Sequence, residues 1–494
     1  MTLSKYQTAI YKAFQLTKKD INISAVAGSG KTTTLLELLK FVPRGMKTLF
    51  LAFNKSIVEE LKSRNENKEA TIMTIHSCGC RAIMIRYGSR AKMNPNKTIA
   101  KTEIVLEQNK IPAKRYSYFF YVIPKLLDLM RCNMTENTLE AIRELAMYYD
   151  VDIDDDDIPL VQRAFKLVVG DKSQFDFMDM IYVPVTDPSV RLKKYDYVFC
   201  DESQDFSICQ HEFIKRCINR RGRLITVGDG NQAIYGFAGA DANSYDKLAS
   251  INGQAIRLPL SVSYRCAKAI VLEAQRYVPS ISYAPNAEEG KVDINSLTTI
   301  REGDWILCRN LKPLIQAYLW LIKNKIKCKI RGKDIAENIV NLIRKTGAKT
   351  LDGLMNALEI ERNKLLDKLT KKGVRKPSLH PKMEVLEQKQ EVIAFLSDEV
   401  TSVDGLIKLL EGIFSDDTDG ILLSTIHKAK GLENERIFFI CPELIPSRYA
   451  TQDWQIEQEY HLKYVAITRA KKELIYVPQS VFDNDLMSNV TIDK

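Results

Sequence analysis

The chain has 494 residues, 45% hydrophobic and 27% charged, with 72 Lys and Arg against 62 Asp and Glu for a formal net charge of +10. That length exceeds what one core supports, so two or more domains are expected, and the modest positive balance permits a polyanionic partner without proving one. The ten scattered cysteines contain no C-x-x-C pair and no window approaches a membrane span, which argues against a disulfide framework or a zinc ribbon and suggests a soluble, cytoplasmic chain with reduced thiols.

The first predicted element is a capped helix from Leu3 to Ile10, with Ser4 before it and Gln7 at its third helical position. Gln7 carries a two-sided amide that could read adenine. Ile21 to Thr34 reads I-N-I-S-A-V-A-G-S-G-K-T-T-T. An apolar β-prone run (Ile21, Ile23, Val26) breaks at a glycine-rich turn and enters a helix-forming run, Leu35 to Lys40. Strand, phosphate loop and helix in that order cradle a polyphosphate on backbone N–H groups and on the positive end of the helix. The cradle spans Ala27, Gly28, Ser29, Gly30 and Thr33, with Lys31 reaching the β- and γ-phosphates and Thr32 holding Mg²⁺. The general pattern wants glycine six residues before the lysine, where this chain has Ala25. A nucleoside triphosphate is the expected ligand.

Thr48 to Phe53 is a second predicted strand, delivering Phe53 and Asn54 to its carboxyl end as a stacking face and a polar contact beside Lys55. Thr71 to Ser77 repeats the design and delivers His76 and Ser77. Residues 79–190 change character and predict a largely helical insertion with clustered aromatics (Tyr116, Tyr118, Phe119, Phe120, Tyr121). Within it, Asp150 to Asp157 superficially resembles a calcium loop but lacks the central glycine and closing glutamate, so a solvated loop is expected. The trios His76, Cys78, Cys80 and Cys209, His211, Cys217 complete no four-ligand set and read as core or helix residues.

Tyr197 to Cys200 is a strand that ends on Asp201 and Glu202. Asp201 would complete the Mg²⁺ shell, and Glu202 would orient and deprotonate an attacking water. After a further strand, Leu224 to Val227, the turn-rich segment to Ala240 offers Gln232 as a γ-phosphate sensor and Tyr235 and Phe237 as stacking faces. Leu260 to Cys266 then sets Tyr264, able to stack on a base, beside Arg265, able to cap a phosphate.

In motif order and wording the chain resembles the UvrD/Rep/PcrA-like branch of superfamily 1 DNA helicases. Ile421 to Glu433 (I-L-L-S-T-I-H-K-A-K-G-L-E) looks like the fifth motif of that family, and Glu459 to Ala470 like the sixth, with Arg469 as its phosphate-sensing arginine. Trp305 to Arg331, strand then helix then strand, looks like the start of a second motor domain. The resemblance implies an α/β fold of two RecA-like parallel-sheet motor domains, each with a mainly helical insertion. The first domain would comprise 1–78 and 191–257, around insertion 79–190. The second would comprise 258–334 and 419–494, around a short basic insertion at 335–418.

The same resemblance implies an ATP hydrolase and DNA helicase that moves 3′ to 5′, with ATP and Mg²⁺ between the two domains. Gln7 and Tyr264 would hold adenine, and Glu433 would contact nucleotide from the second domain. Arg265 and Arg469 would act as arginine fingers. Single-stranded DNA and its junctions with duplex would be the partner, touching Phe53, Asn54, His76, Tyr235, Phe237, Thr425 and His427. The alternative is a DNA-sensing ATPase subunit that activates a partner nuclease in a defence or repair complex, and a separate nuclease or a replication or repair protein is the further partner expected. Two features depart from the family. Its usual Trp-Arg-Gly-Ala is Phe237-Ala-Gly-Ala here, and the second insertion is short. That insertion is basic around Lys364, Lys368, Lys371, Lys372, Arg375 and Lys376, which reads equally as a solvated helix end or a duplex-gripping loop. Beyond Val477 only a short polar tail is expected, without a fused nuclease.

Overall fold

A computed structural model describes residues 3–52, 55–65, 67, 69–88, 91–241, 243–371, 377–414 and 420–487. The chain forms two compact units, Met1–Val262 and Ser263–Lys494. Each is built on a six-stranded sheet whose strands all pair in parallel.

In the first unit the strand order is Thr71–Thr74, Thr48–Ala52, Tyr195–Cys200, Ile218–Gly228, Ile21–Ala25 and Ile256–Leu260. Covered on both faces, such strands read as unbroken apolar runs, and Thr48–Ala52 is buried at every position. Alternate side chains feed two cores. Ile21, Ile23, Phe50 and Phe199 pack on one face with Ile10, Phe14, Leu35 and Leu38. Leu49, Leu51, Val198 and Cys200 pack on the other with Phe213 and Ile214. The parallel ladder brings every loop that follows a strand to the same edge, where α/β sheets bind ligands.

Between the third and fourth of these strands in sequence lies a set of helices, chiefly Lys97–Gln108, Tyr116–Asn133, Leu139–Tyr148 and Ile158–Gly170. They close a core of their own, with Phe119, Ile123, Leu127, Val161 and Phe165 at its centre. The acidic run at 150–157 is not simply solvated. Asp157 is buried and accepts from Arg115 Nη2 at 2.6 Å, and the Tyr118 hydroxyl donates to the Asp152 carbonyl at 2.9 Å. Their partners lie on a different helical segment, which turns the run into a packed corner.

The second unit orders its strands Lys291–Ile294, Ala470–Val477, Asn434–Ile440, Trp305–Cys308, Ile421–Thr425 and Cys328–Ile330. Trp305–Cys308, the helix Leu311–Lys323 and Cys328–Ile330 form the strand–helix–strand expected from sequence. Helices Lys333–Thr346, Leu351–Lys371, Pro381–Ser397 and Val403–Ile413 follow. Leu354, Val392, Leu406 and Leu410 share one continuous core with Ile306, Leu314 and Leu423 of the sheet layer. Of the basic run, Lys364 is exposed on Leu351–Lys371, Lys368 and Lys371 lie on the same helix, and Lys372, Arg375 and Lys376 fall outside the described residues. No helix among the described residues is long and apolar enough to cross a membrane, and no group of three His, Cys, Asp or Glu among them could hold a metal ion. The Cys209, His211, Cys217 trio is buried, His211 Nε2 meeting the Ser244 hydroxyl at 2.8 Å.

Candidate functional site

The phosphate loop links the strand Ile21–Ala25 to the helix Lys31–Lys40. Gly28 (φ +69°) and Gly30 (φ +78°) both adopt left-handed backbone, which glycine takes at no steric cost. Ala25 does not need that freedom: it is the last residue of the strand, paired with Leu260, and its extended backbone suits an L side chain. Ala27 and Ser29 are buried, and Ser29 Oγ donates to the Val26 carbonyl at 2.8 Å, closing the turn. Thr33 faces outward, its hydroxyl accepting from Arg64 Nη2 at 2.9 Å. Gln7 stands over the loop. Its Oε1 accepts from the Ser4 N–H at 3.0 Å, and its Nε2 donates to Thr34 Oγ1 at 3.3 Å.

Asp201 and Glu202 leave the carboxyl end of Tyr195–Cys200 and meet the loop directly. Thr32 Oγ1 donates to Asp201 Oδ2 at 2.7 Å, and Lys31 Nζ donates to Glu202 Oε2 at 3.1 Å. Glu202 holds a left-handed backbone (φ +51°), uncommon for a residue with a side chain and concentrated at functional sites. Burial pushes the Asp201 carboxyl up to about 6, reinforced by Glu202 and opposed by Lys31. Burial alone would lower Lys31, but the negative charge of Glu202, Asp229 and Asp201 outweighs it and raises the ammonium above its ordinary value.

Two members of this cluster escape sequence reasoning. Gln204 donates from Nε2 to Glu202 Oε2 at 2.7 Å and to Asp205 Oδ2 at 3.1 Å, while its Oε1 accepts from the Asp229 N–H at 3.0 Å. Asp229 is fully buried at the end of Ile218–Gly228 and raised by burial, and its Oδ2 accepts from Gln232 Nε2 at 2.6 Å. The predicted sensor Gln232 thus reaches the lysine cluster through Asp229. The only signal in sequence is position, a polar residue just past a strand end.

The aromatic residues occupy the same edge. Tyr235 and Phe237 pack edge-to-face with centroids 6.3 Å apart, and Phe237 is exposed. His76 differs from expectation in its element. The strand stops at Thr74, whose hydroxyl accepts from the Ser77 N–H at 3.1 Å and caps the helix Ile75–Tyr87, so His76 and Ser77 lie in a first helical turn. His76 stacks on Phe177 at 3.7 Å between centroids, and burial lowers its pKa to about 4. Phe177, exposed and unremarked in sequence, enlarges that face. Phe53 and Asn54 lie outside the described residues.

In the second unit, Arg265, Glu433 and Arg469 gather at the amino edge of the sheet, where Asn434 and Ala470 pair. Arg265 Nε forms an ion pair with Glu433, Arg265 Nη1 donates to the Thr468 carbonyl at 3.3 Å, and Lys471 Nζ lies 3.3 Å from Glu433. Burial opposes the Glu433 charge, yet Arg265, Lys471 and Arg469 hold its carboxyl below the usual range. Arg469 is buried, donating to the carbonyls of Leu432 at 2.9 Å and Val465 at 3.1 Å. Tyr264 beside Arg265 is exposed. Thr425 and His427 lie at the opposite, carboxyl edge. Thr425 caps the short helix Ile426–Ala429, and burial, with help from Arg309 and Lys430, lowers His427 to about 3. Arg309, at the end of Trp305–Cys308, is anchored by Glu459 at 2.9 Å and Glu384 at 3.2 Å, a pairing across helices that sequence does not announce.

Residues 6–251 match the UvrD/REP helicase N-terminal domain, and residues 382–479 match the UvrD-like helicase C-terminal domain. The chain belongs to the UvrD/REP helicase family. Over 92% of its length this family member is 23% identical to F-box DNA helicase protein 1 of Schizosaccharomyces pombe, covering 55% of that protein. It is 26% identical to ATP-dependent DNA helicase PcrA of Staphylococcus epidermidis over 54% of this chain and 39% of that protein. With PcrA of Staphylococcus aureus the identity is 24%, over 57% of this chain and 40% of that protein. The chain thus spans about half the length of these relatives, or less, and carries both halves of the UvrD/REP pattern.

Proposed function

We propose that the chain is an ATP-dependent translocase and helicase acting on single-stranded DNA, moving 3′ to 5′, and that it works in the cytoplasm. The observation that carries this reading is the pairing of Lys31 with Glu202 and Thr32 with Asp201 across two strand ends, beside an exposed aromatic edge. The loop N–H groups and Lys31 bind the β- and γ-phosphates. Thr32 and Asp201 fit a magnesium ion: the cluster holds one cation, Lys31, against the carboxylates of Asp201, Glu202 and Asp229, so positive charge is wanted there. When bound, the ion neutralises charge on the phosphates and fixes their geometry.

Lys31 exchanges Glu202 for phosphate when nucleotide enters, which leaves the Glu202 carboxylate, still held by Gln204, to take the proton of the attacking water. Gln232, through Asp229, links that centre to the turn bearing Tyr235 and Phe237, on which bases stack. Family resemblance is what assigns nucleotide contacts to Arg265, Glu433 and Arg469, with the arginines acting on charge that develops in the transition state. The polarity rests on family resemblance.

The test combines ATPase assays with streptavidin displacement from end-biotinylated single strands. ATP turnover stimulated by single strands, with faster displacement from the 5′ end, is the expected result. Displacement from the 3′ end would overturn the polarity. Stimulated turnover without displacement from either end would favour the DNA-sensing ATPase that activates a separate nuclease.

A further inference from the structure

The turn that presents Phe237 carries no cation of its own: alanine occupies position 238, and its side chain is exposed. The inserted helix Tyr116–Asn133 packs against this turn. A Cβ built on Gly239 would come within 2.9 Å of Cys132 Cβ, so the two segments touch at van der Waals distance. One side chain of that helix reaches further. Lys125 Nζ donates to the Phe237 carbonyl at 2.8 Å, and that carbonyl belongs to the peptide joining Phe237 to Ala238. The bond is exposed to solvent, and an ammonium has three donors, so two remain for other acceptors. Tyr121, one turn earlier on the same helical face, is 56% exposed, and Phe237 is 52% exposed. Burial of its stem lowers the Lys125 pKa, with Asp128 opposing.

We propose that Lys125 is a nucleic-acid contact that supplies from the inserted helix the phosphate-neutralising cation missing at position 238, and that the single-strand path runs from Tyr235 and Phe237 onto the Tyr121–Lys125 face. An aromatic face with an adjoining cation suits a single strand, whose bases stack while the backbone is neutralised, and gives no reason for base preference. The cation therefore comes from an insertion and not from the sheet edge, so the insertion takes part in gripping the strand. This inference rests on the single-strand reading above.

Oligo(dT) binding, measured by fluorescence anisotropy over a salt series, tests it. Removing one phosphate contact lowers the slope of log affinity against log salt by about 0.7. Lys125→Met is expected to lose that increment, Lys125→Arg to keep it, and Lys125→Met with Ala238→Arg to recover it. A role confined to bracing the turn would lower the melting temperature of Lys125→Met and leave the slope at the wild-type value, which would overturn the inference. Restoration of the slope by Ala238→Arg keeps the test valid even if Lys125→Met is less stable. Absence of oligo(dT) binding by the wild-type chain would overturn the single-strand reading itself, and the inference with it.

Discussion

Two buried clusters of charge in the first unit use the same residue types to opposite ends. Around Lys31, one ammonium faces Asp201, Glu202 and Asp229. Around Arg131, two buried cations meet two buried carboxylates. Arg131 Nη1 lies 2.8 Å from Asp176 and 3.1 Å from Asp179, and Lys97 Nζ lies 2.6 Å from Asp179. Asp176 and Asp179 also accept each other's backbone N–H, and Arg131 Nη2 reaches the half-exposed Asp128 at 2.7 Å. Burial opposes the Asp176 charge, yet Arg131 and Thr98 hold its carboxyl below its ordinary value. In the Lys31 cluster the carboxyls of Asp201 and Asp229 are pushed the other way. A cluster whose buried charges balance is a strut. One left with surplus negative charge and a strained backbone at Glu202 is built for a ligand that brings the missing positive charge.

Glu202→Gln draws the line most sharply. Losing a general base costs about 10²- to 10⁴-fold in turnover, so DNA-stimulated ATP hydrolysis should fall by that factor while a fluorescent ATP analogue still binds. Lys31→Ala should instead weaken analogue binding. Near-normal turnover in Glu202→Gln would move Glu202 into the structural class. Next comes Arg131→Met, which leaves Asp176 without a cation in the interior and Asp179 with Lys97 alone. Breaking such a pair costs about 3–5 kcal/mol, read as a marked fall in melting temperature that Asp176→Asn partly recovers. An Arg131→Met chain that melts with wild type would show that this cluster is not a strut.

The smallest effect concerns pH. The folded Asp201 carboxyl titrates near 6, above its unfolded value of about 4, so the folded state binds the proton more tightly. Stability from this group is therefore present at low pH and is lost as pH rises from about 4 to about 6. In EDTA and without nucleotide, Asp201→Asn should melt on the order of several degrees higher than wild type above pH 6, and the gain should vanish near pH 4. A gain independent of pH would show that burial of the aspartate does not drive it.

How much of this is legible in sequence follows from how local each feature is. The phosphate loop and the Asp201–Glu202 pair are written in consecutive residues, and the parallel sheet brings them to one edge. Gln204 and Asp229 are not legible, because their roles arise from hydrogen bonds between neighbouring strand ends. The strand expected through Ser77 stops at Thr74 because a threonine hydroxyl caps a helix as readily as it extends a strand. The acidic corner is misread for want of its partners, Arg115 and Tyr118, which lie on other elements. In the second unit, Arg265, Glu433 and Arg469 come from three distant segments, and only the family pattern links them before the fold does.

The two helical insertions differ in whether they own a core. The first closes Phe119, Ile123, Leu127 and Phe165 into a cluster separate from its sheet. Among the described residues the second largely shares the core of its sheet: Leu354, Val392, Leu406 and Leu410 belong to the cluster that also holds Ile306 and Leu423, and a small cluster of Leu369 and Met383 with Tyr449 lies apart from it. Interchangeability follows. The helices that close the first insertion's core can be lengthened, trimmed or replaced with little penalty to the phosphate-loop sheet, provided the face toward Gly239 is kept, as is the segment bearing Ile181 and Val185, which belong to the core of that sheet. The second is part of the foundations. A change in the length or tilt of its helices is felt by the strands ending at Cys308 and Thr425, and so by Arg309 and His427, which makes it less open to exchange than the first.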